Sequence, residues 1–215
     1  MASTETSPLP SIRCRPNGPY LVTGLTTFAN SGGEAIATNE TIALCRCGGS
    51  SNKPFCDGTH AKIGFEDGKQ SDRTQDKRRD YVGKAITIHD NRGQCAHAGV
   101  CTDRLSSVWR MGMKPWIDPD GANVEAIIET IEACPSGALS YTIDNEEHRD
   151  CNNSAAIKLS KNGPYIVTGG ITLESIEFGE GASREHFTLC RCGASKNKPF
   201  CDGSHYDAGF EHDEG

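Results

Sequence analysis

Residues 45–60 read CRCGGSSNKPFCDGTH, and residues 190–205 read CRCGASKNKPFCDGSH. Two stretches this similar, 145 positions apart, decide the organisation of the chain. At the same offset Asn17-Gly18-Pro19-Tyr20 returns as Asn162-Gly163-Pro164-Tyr165, and residues 12–66 align with 157–211 without a gap. About half of the aligned positions are identical. The chain is therefore a duplicated module with an unrelated unit between its copies. In each copy, Tyr20–Thr23 and Tyr165–Thr168 follow an Asn-Gly-Pro turn and read as strands. Thr41–Leu44 and His186–Leu189 read as second strands running into the first cysteines. Asp57 reads as the N-cap of a short helix opening at Gly58-Thr59-His60. A module of roughly 55 residues buries too little apolar surface to be comfortably stable alone. The copies are thus expected to pack together or to lean on a bound metal.

The whole chain has 215 residues, of which 35% are hydrophobic, with 24 Gly and 10 Pro. Small, turn-rich units suit that composition better than one large core. No run approaches the roughly 18 apolar residues of a membrane helix, and Met1 to Pro10 has no secretory pattern. The expectation is a cytoplasmic protein, in a reducing compartment where disulfides are disfavoured. Eleven cysteines, an odd number, then point to metal ligation. The net charge is −7. Segments 1–70, 71–150 and 151–215 carry 0, −4 and −3. A nucleic-acid ligand is unlike such a balance.

Each copy holds the pattern C-x-C-x8-C-x3-H: Cys45, Cys47, Cys56 and His60, then Cys190, Cys192, Cys201 and His205. Thiolates are soft ligands suited to iron–sulfur clusters and to zinc. The x3 spacing sets each histidine about one helical turn from its cysteine, and Pro54 and Pro199 stiffen the loop between. A C-x-C pair at a strand end suits two thiolates on one iron of a binuclear cluster. Zinc sites more often use C-x2-C or wider pairs, yet zinc stays open on spacing alone.

The repeated C-x-C-x2-S-x3-P-x-C-D-G-[ST]-H string resembles the signature of the CDGSH iron–sulfur family, the mitoNEET-type proteins. The resemblance covers about half the chain and implies one [2Fe–2S] cluster per module. In the first module Cys45 and Cys47 would hold one iron, and Cys56 and His60 the other. In the second, Cys190 and Cys192 would pair against Cys201 and His205. It also implies that the two modules pair, here within one chain. The organelle-surface location of membrane-anchored members does not carry over. A histidine ligand binds as the neutral base and competes with protons near an ordinary pKa of about 6.5. The clusters are expected to bleach faster at pH 5 than at pH 8.

Between the copies, Ser71 to Asp80 reads as a solvated connector of mixed charge. Lys84–His89 then reads as a strand, and residues 123–133 as a helix. Val124, Ile127, Ile128 and Ile131 make its apolar stripe, which Cys134 continues. Cys95 and Cys101 stand in the first and third positions of a ferredoxin C-x2-C-x2-C run, with Cys134-Pro135 as the remote ligand. Ala98 occupies the second position and cannot ligate; neighbouring His97 is the alternative fourth ligand. Residues 80–145 resemble the divergent mono-cluster ferredoxin domains. That resemblance implies a [4Fe–4S] cluster, or a [3Fe–4S] cluster if only three thiolates bind. Trp109, Trp116, Met111 and Met113 read as core. Cys14, aligned with Leu159, reads as an apolar strand position, and Cys151, aligned with Thr6, as a free thiol.

The expected architecture is α+β and β-rich. Two small CDGSH-type β modules, 1–70 and 151–215, form a pseudo-two-fold pair, with a linker and ferredoxin-like α+β domain at 71–150 between them. No phosphate loop, dinucleotide fingerprint or nucleophile motif is present. The expected function is one-electron transfer without enzymatic activity, with redox proteins as partners and neither nucleic acid nor membrane. Cluster storage or delivery to apo-proteins is the alternative, and a zinc-bound interaction module a further one.

Overall fold

A computed structural model describes residues 10–212. The readings placed on Met1 to Leu9, and on Thr6 as the counterpart of Cys151, lie outside the described residues. The first copy supplies β1 (Ser11–Cys14), β2 (Tyr20–Thr23), β3 (Phe28–Ala29), β4 (Thr41–Leu44) and α1 (Thr59–Lys62). The middle unit follows with β5 (Arg78–Val82), β6 (Thr87–Asn91), α2 (Val100–Arg104), α3 (Val124–Glu132), β7 (Leu139–Ile143) and β8 (Glu146–His148). The second copy adds β9 (Ala156–Leu159), β10 (Tyr165–Thr168), β11 (Thr172–Leu173) and β12 (Phe187–Leu189). The molecule is α+β and β-rich.

Strand alternation places the core. In β2 and β4, Tyr20, Val22, Ile42 and Leu44 turn inward while their neighbours face outward. Tyr165, Val167, Ile157 and Leu159 do the same in β10 and β9. The two copies do not build separate cores: these side chains form one buried cluster. Each copy also lends its third strand to the other. β11 runs parallel to β1, with Ile12 opposite Leu173. β3 runs parallel to β9, with Phe28 opposite Ile157. Two four-stranded sheets result, β11-β1-β2-β4 and β12-β10-β9-β3. Sharing one core removes the instability expected of a lone module.

Two tyrosines lock the junction. The Tyr20 hydroxyl lies 2.9 Å from the Cys190 carbonyl oxygen and 3.0 Å from that of Pro199. Tyr165 makes the same contacts to Cys45 and Pro54, at 2.9 and 3.0 Å. The rings meet edge to face at 6.0 Å. Burial raises both phenols well above their usual range, so each remains a donor. Tyr20→Phe leaves buried carbonyls without that donor, a loss of about 1–2 kcal/mol. For a chain this long, the thermal midpoint should fall by roughly 2–8 °C. A midpoint equal to wild type would show that the hydroxyl does not join the modules.

The middle unit is an antiparallel sheet, β5-β6-β7-β8, with α2 and α3 packed together and α3 against β7. The Asn123 side chain caps α3, accepting from the Ala126 N–H at 2.8 Å. Ile127 and Ile131 are buried on its inner face, and Cys134 joins the same cluster. Several local expectations are corrected. The Gly83 N–H bonds the Ile86 carbonyl and closes a turn, so the strand begins at Thr87 rather than Lys84. The charged connector ends as β5, held by an Arg78–Glu147 ion pair at 3.0 Å. Asp57 is not the N-cap: Gly58, at φ +86°, holds that position. Trp109 is fully buried, but Met111 and Met113 are 78% and 55% exposed, not core. Among the described residues, no helix is long and apolar enough to cross a membrane.

Candidate metal centres

Each repeated loop is prebuilt by its own short side chains. The Ser50 hydroxyl donates to the Phe55 carbonyl at 2.7 Å and accepts from the Asn52 N–H at 3.0 Å. Lys53 Nζ reaches the Ser50 carbonyl at 2.6 Å. Asp57 accepts from the Ser51 N–H at 2.9 Å and the Thr59 N–H at 3.0 Å. Those bonds, Ser51's first, hold the Asp57 carboxyl well below the usual carboxylate range. Ser195, Lys198 and Asp202 repeat the set with Phe200, Asn197, Lys196 and Ser204. Apart from Asp57, read as an N-cap, these residues had no role in the sequence reading, although their recurrence in both copies was the available signal.

The loops bring the predicted donors together in pairs. Cys45 Sγ and Cys47 Sγ lie 3.9 Å apart, and Cys190 Sγ and Cys192 Sγ 3.7 Å apart. Cys56 Sγ stands 3.3 Å from His60 Nδ1, and Cys201 Sγ 3.4 Å from His205 Nδ1. A tetrahedral metal with sulfur at about 2.3 Å has ligand–ligand edges near ~3.8 Å, so each pair is spaced for one metal ion. Backbone N–H groups of Gly49, Gly58 and Ala194 point at the Cys47, Cys56 and Cys192 sulfurs, each at 3.4 Å. Burial pushes the Cys201 thiol far up. The contact between Cys190 and Cys192 raises the former well above the usual thiol range and lowers the latter. All eleven cysteines are free thiols.

The two pockets match in sequence but differ in burial. Cys56 and His60 are half-buried, whereas Cys201 and His205 are buried. The cause is the middle unit. Asn197 Nδ2 donates to the Gly93 carbonyl at 2.8 Å. His97 lies against Gly203 so closely that a Cβ there would meet its ring. Burial holds the His205 imidazole below the ordinary histidine range, with Asp202 opposing and Arg191 reinforcing.

In the middle unit Cys95, Cys101 and Cys134 line one pocket together with Ala98 and Pro135. Burial pushes the Cys95 thiol up to about 12, although Arg92 donates to its sulfur at 3.4 Å. Cys101 is raised by burial and by Cys134. His97 is exposed, stands outside this pocket, and its Nδ1 meets Arg92 Nη2 at 3.2 Å. One side chain unseen in the sequence reading shares the pocket: Asp90, 1% exposed, whose carboxylate oxygens meet hydrogen-bond geometry with no partner among the described residues. Its signal was the alternation Ile86, Ile88, Asp90, which puts a carboxylate on an apolar face. Cys14 packs partly buried against the shared core, and Cys151 lies 3.7 Å from the Glu132 carbonyl.

Comparison with known proteins finds the same three units. A family described as "iron-binding zinc finger CDGSH type" matches residues 17–61 and 162–206. A family described as "divergent 4Fe-4S mono-cluster" matches residues 81–144. The uncharacterized protein YjdI, from two Escherichia coli strains, is 38% identical over 61 residues, 28% of this chain and 80% of that protein. No solved structure matches the chain.

Proposed function

We propose, from two modules matching the iron-binding CDGSH-type family around a unit matching the divergent 4Fe-4S mono-cluster family, that the chain is a one-electron carrier. Each module holds a [2Fe–2S] cluster, through Cys45, Cys47, Cys56 and His60 in the first and Cys190, Cys192, Cys201 and His205 in the second. The reciprocal Tyr20 and Tyr165 contacts and the exchanged strands support a pseudo-two-fold pair. The middle unit holds a cubane-type cluster on Cys95, Cys101 and Cys134. When bound, each cluster supplies a reversible one-electron couple. The chain's residues hold, space and shield the clusters.

The observation that carries this reading is a cleft of about 290 Å³ between the middle unit and the second module. Ala98 and Pro135 line both this cleft and the pocket of the three middle thiols, and His205 lines the opposite wall. A thin wall shared between the middle thiol pocket and the cleft that His205 lines suits electron exchange within the chain, leaving the more open first module to meet an outside redox protein. The test is a stepwise reductive titration of the holoprotein, followed by incubation with an apo-ferredoxin. Reversible couples without cluster transfer support a carrier. Transfer of intact clusters without a redox trigger would make it a delivery protein instead.

Acid should separate the two modules. The neutral His205 ring is the form that binds metal. Below about pH 6.5 a released imidazole takes a proton, which favours the cluster-free state. Burial slows proton and chelator access to His205 relative to half-buried His60. Bleaching at pH 5 is therefore expected in two phases, with His60→Cys slowing the fast one and His205→Cys the slow one. A single phase unaffected by His60→Cys would contradict the assignment.

A further inference from the structure

The middle pocket is one donor short. The four irons of a cubane each take one outer ligand, usually a thiolate, and the thiols here supply three. Ala98 sits where the second cysteine of the run would stand and offers no donor atom. His97 is exposed, turned toward Arg92 and laid on Gly203. Its side chain is engaged outside the pocket.

Asp90 is within it. On β6 it stands opposite Leu139 of β7, and Leu139 also lines the pocket. Its carboxylate is close enough to Cys95 to raise that thiol. Burial pushes the Asp90 carboxyl itself up to about 6, against the pull of Arg92, the Trp116 indole and Arg79. The Trp116 indole pulls on this carboxylate without meeting hydrogen-bond geometry; a buried carboxylate so thinly partnered is costly, and such a group in a native fold calls for an unseen partner. Carboxylate oxygen is a harder donor than thiolate but binds iron. It carries the same single negative charge as the missing cysteine.

We propose that Asp90 is the fourth protein ligand of the middle cluster, completing a three-cysteine, one-aspartate set. This rests on the reading that the middle unit holds a cubane cluster. A carboxylate-bound iron is the corner most readily lost, so the site would interconvert between four-iron and three-iron forms more easily than an all-cysteine site.

The experiment compares the full-length holoprotein with Asp90→Ala, Asp90→Cys and Cys101→Ala, each reconstituted anaerobically with excess iron and sulfide. Iron and labile sulfide are counted, and EPR spectra taken of oxidised and reduced samples. Asp90→Ala should lose one iron per chain with sulfide unchanged, and show an oxidised three-iron signal. Asp90→Cys should restore the fourth iron. Cluster-free Asp90→Ala should be at least as stable as cluster-free wild type, because an orphan carboxylate is gone. This excludes misfolding as the cause of iron loss. Four irons and an unchanged spectrum in Asp90→Ala would overturn the ligand assignment alone, as would a three-iron cluster in wild type. Iron and sulfide counts untouched by Cys101→Ala would overturn the cubane reading beneath it.

Discussion

Gly193→Ala is expected to cost about 3–5 kcal/mol and to disturb both CDGSH-type sites at once. Gly193 has φ +80°, and a Cβ built on it would overlap the carbonyl oxygen of Cys47. That oxygen is backbone and cannot swing aside. Cys47 and Cys192 form a bridge between the modules at this point, and Gly48, at φ +75°, stands in the same relation to the Cys192 carbonyl. The left-handed conformation alone costs a non-glycine residue roughly 1–2 kcal/mol; the remainder comes from parting the bridge. Gly33→Ala is the control, because Gly33 has φ +91° with open space around it. In thermal unfolding, Gly193→Ala should lower the midpoint by roughly 6–20 °C, and Gly33→Ala by only a few degrees. Equal losses would mean that the junction is not as tight as the geometry indicates.

The second large effect concerns two arginines that the repeat makes look equivalent. Arg191 is 1% exposed. Its guanidinium donates to the carbonyls of Gly163 at 2.8 Å and Ser160 at 2.7 Å, and meets His212 Nδ1 at 2.7 Å. It also lies over the rings of Tyr165 and Phe210. Arg46 is as deeply buried and likewise lies over two rings, Tyr20 and Phe65, but its guanidinium holds one ion pair, to Asp67 at 2.7 Å, and its Nε has no hydrogen-bond partner among the described residues. Arg191→Leu strands two carbonyls and opens the turn beside Cys190 and Cys192, a loss of about 3–5 kcal/mol. Arg46→Leu removes a pair whose carboxylate is partly solvated, and should cost no more than about half as much. Denaturant unfolding of both variants checks this. An Arg46 variant as unstable as the Arg191 variant would refute the distinction.

What could be read from the chain was whatever depended on local spacing. The C-x-C-x8-C-x3-H pattern, the strands at Tyr20 and Tyr165, and the α3 stripe ending at Cys134 are all set by residues within a turn or two. The exchange of β3 and β11 was hidden, because two-residue strands gain their identity from partners more than 100 positions away. Burial that differs between sites of nearly identical sequence was hidden for the same reason: the cover comes from Gly93 and His97 of another unit. Met111 and Met113 show the opposite failure. Apolar side chains on a loop carry no period, and nothing local says that they face solvent.

Iron and acid-labile sulfide counted per chain on anaerobically purified protein, with EPR of the reduced sample, decide whether the three thiolate sites hold iron–sulfur clusters. The predicted result is about eight iron and about eight sulfide per chain, with reduced-cluster signals from binuclear and cubane centres. Zinc in place of iron, or iron without labile sulfide, would contradict it.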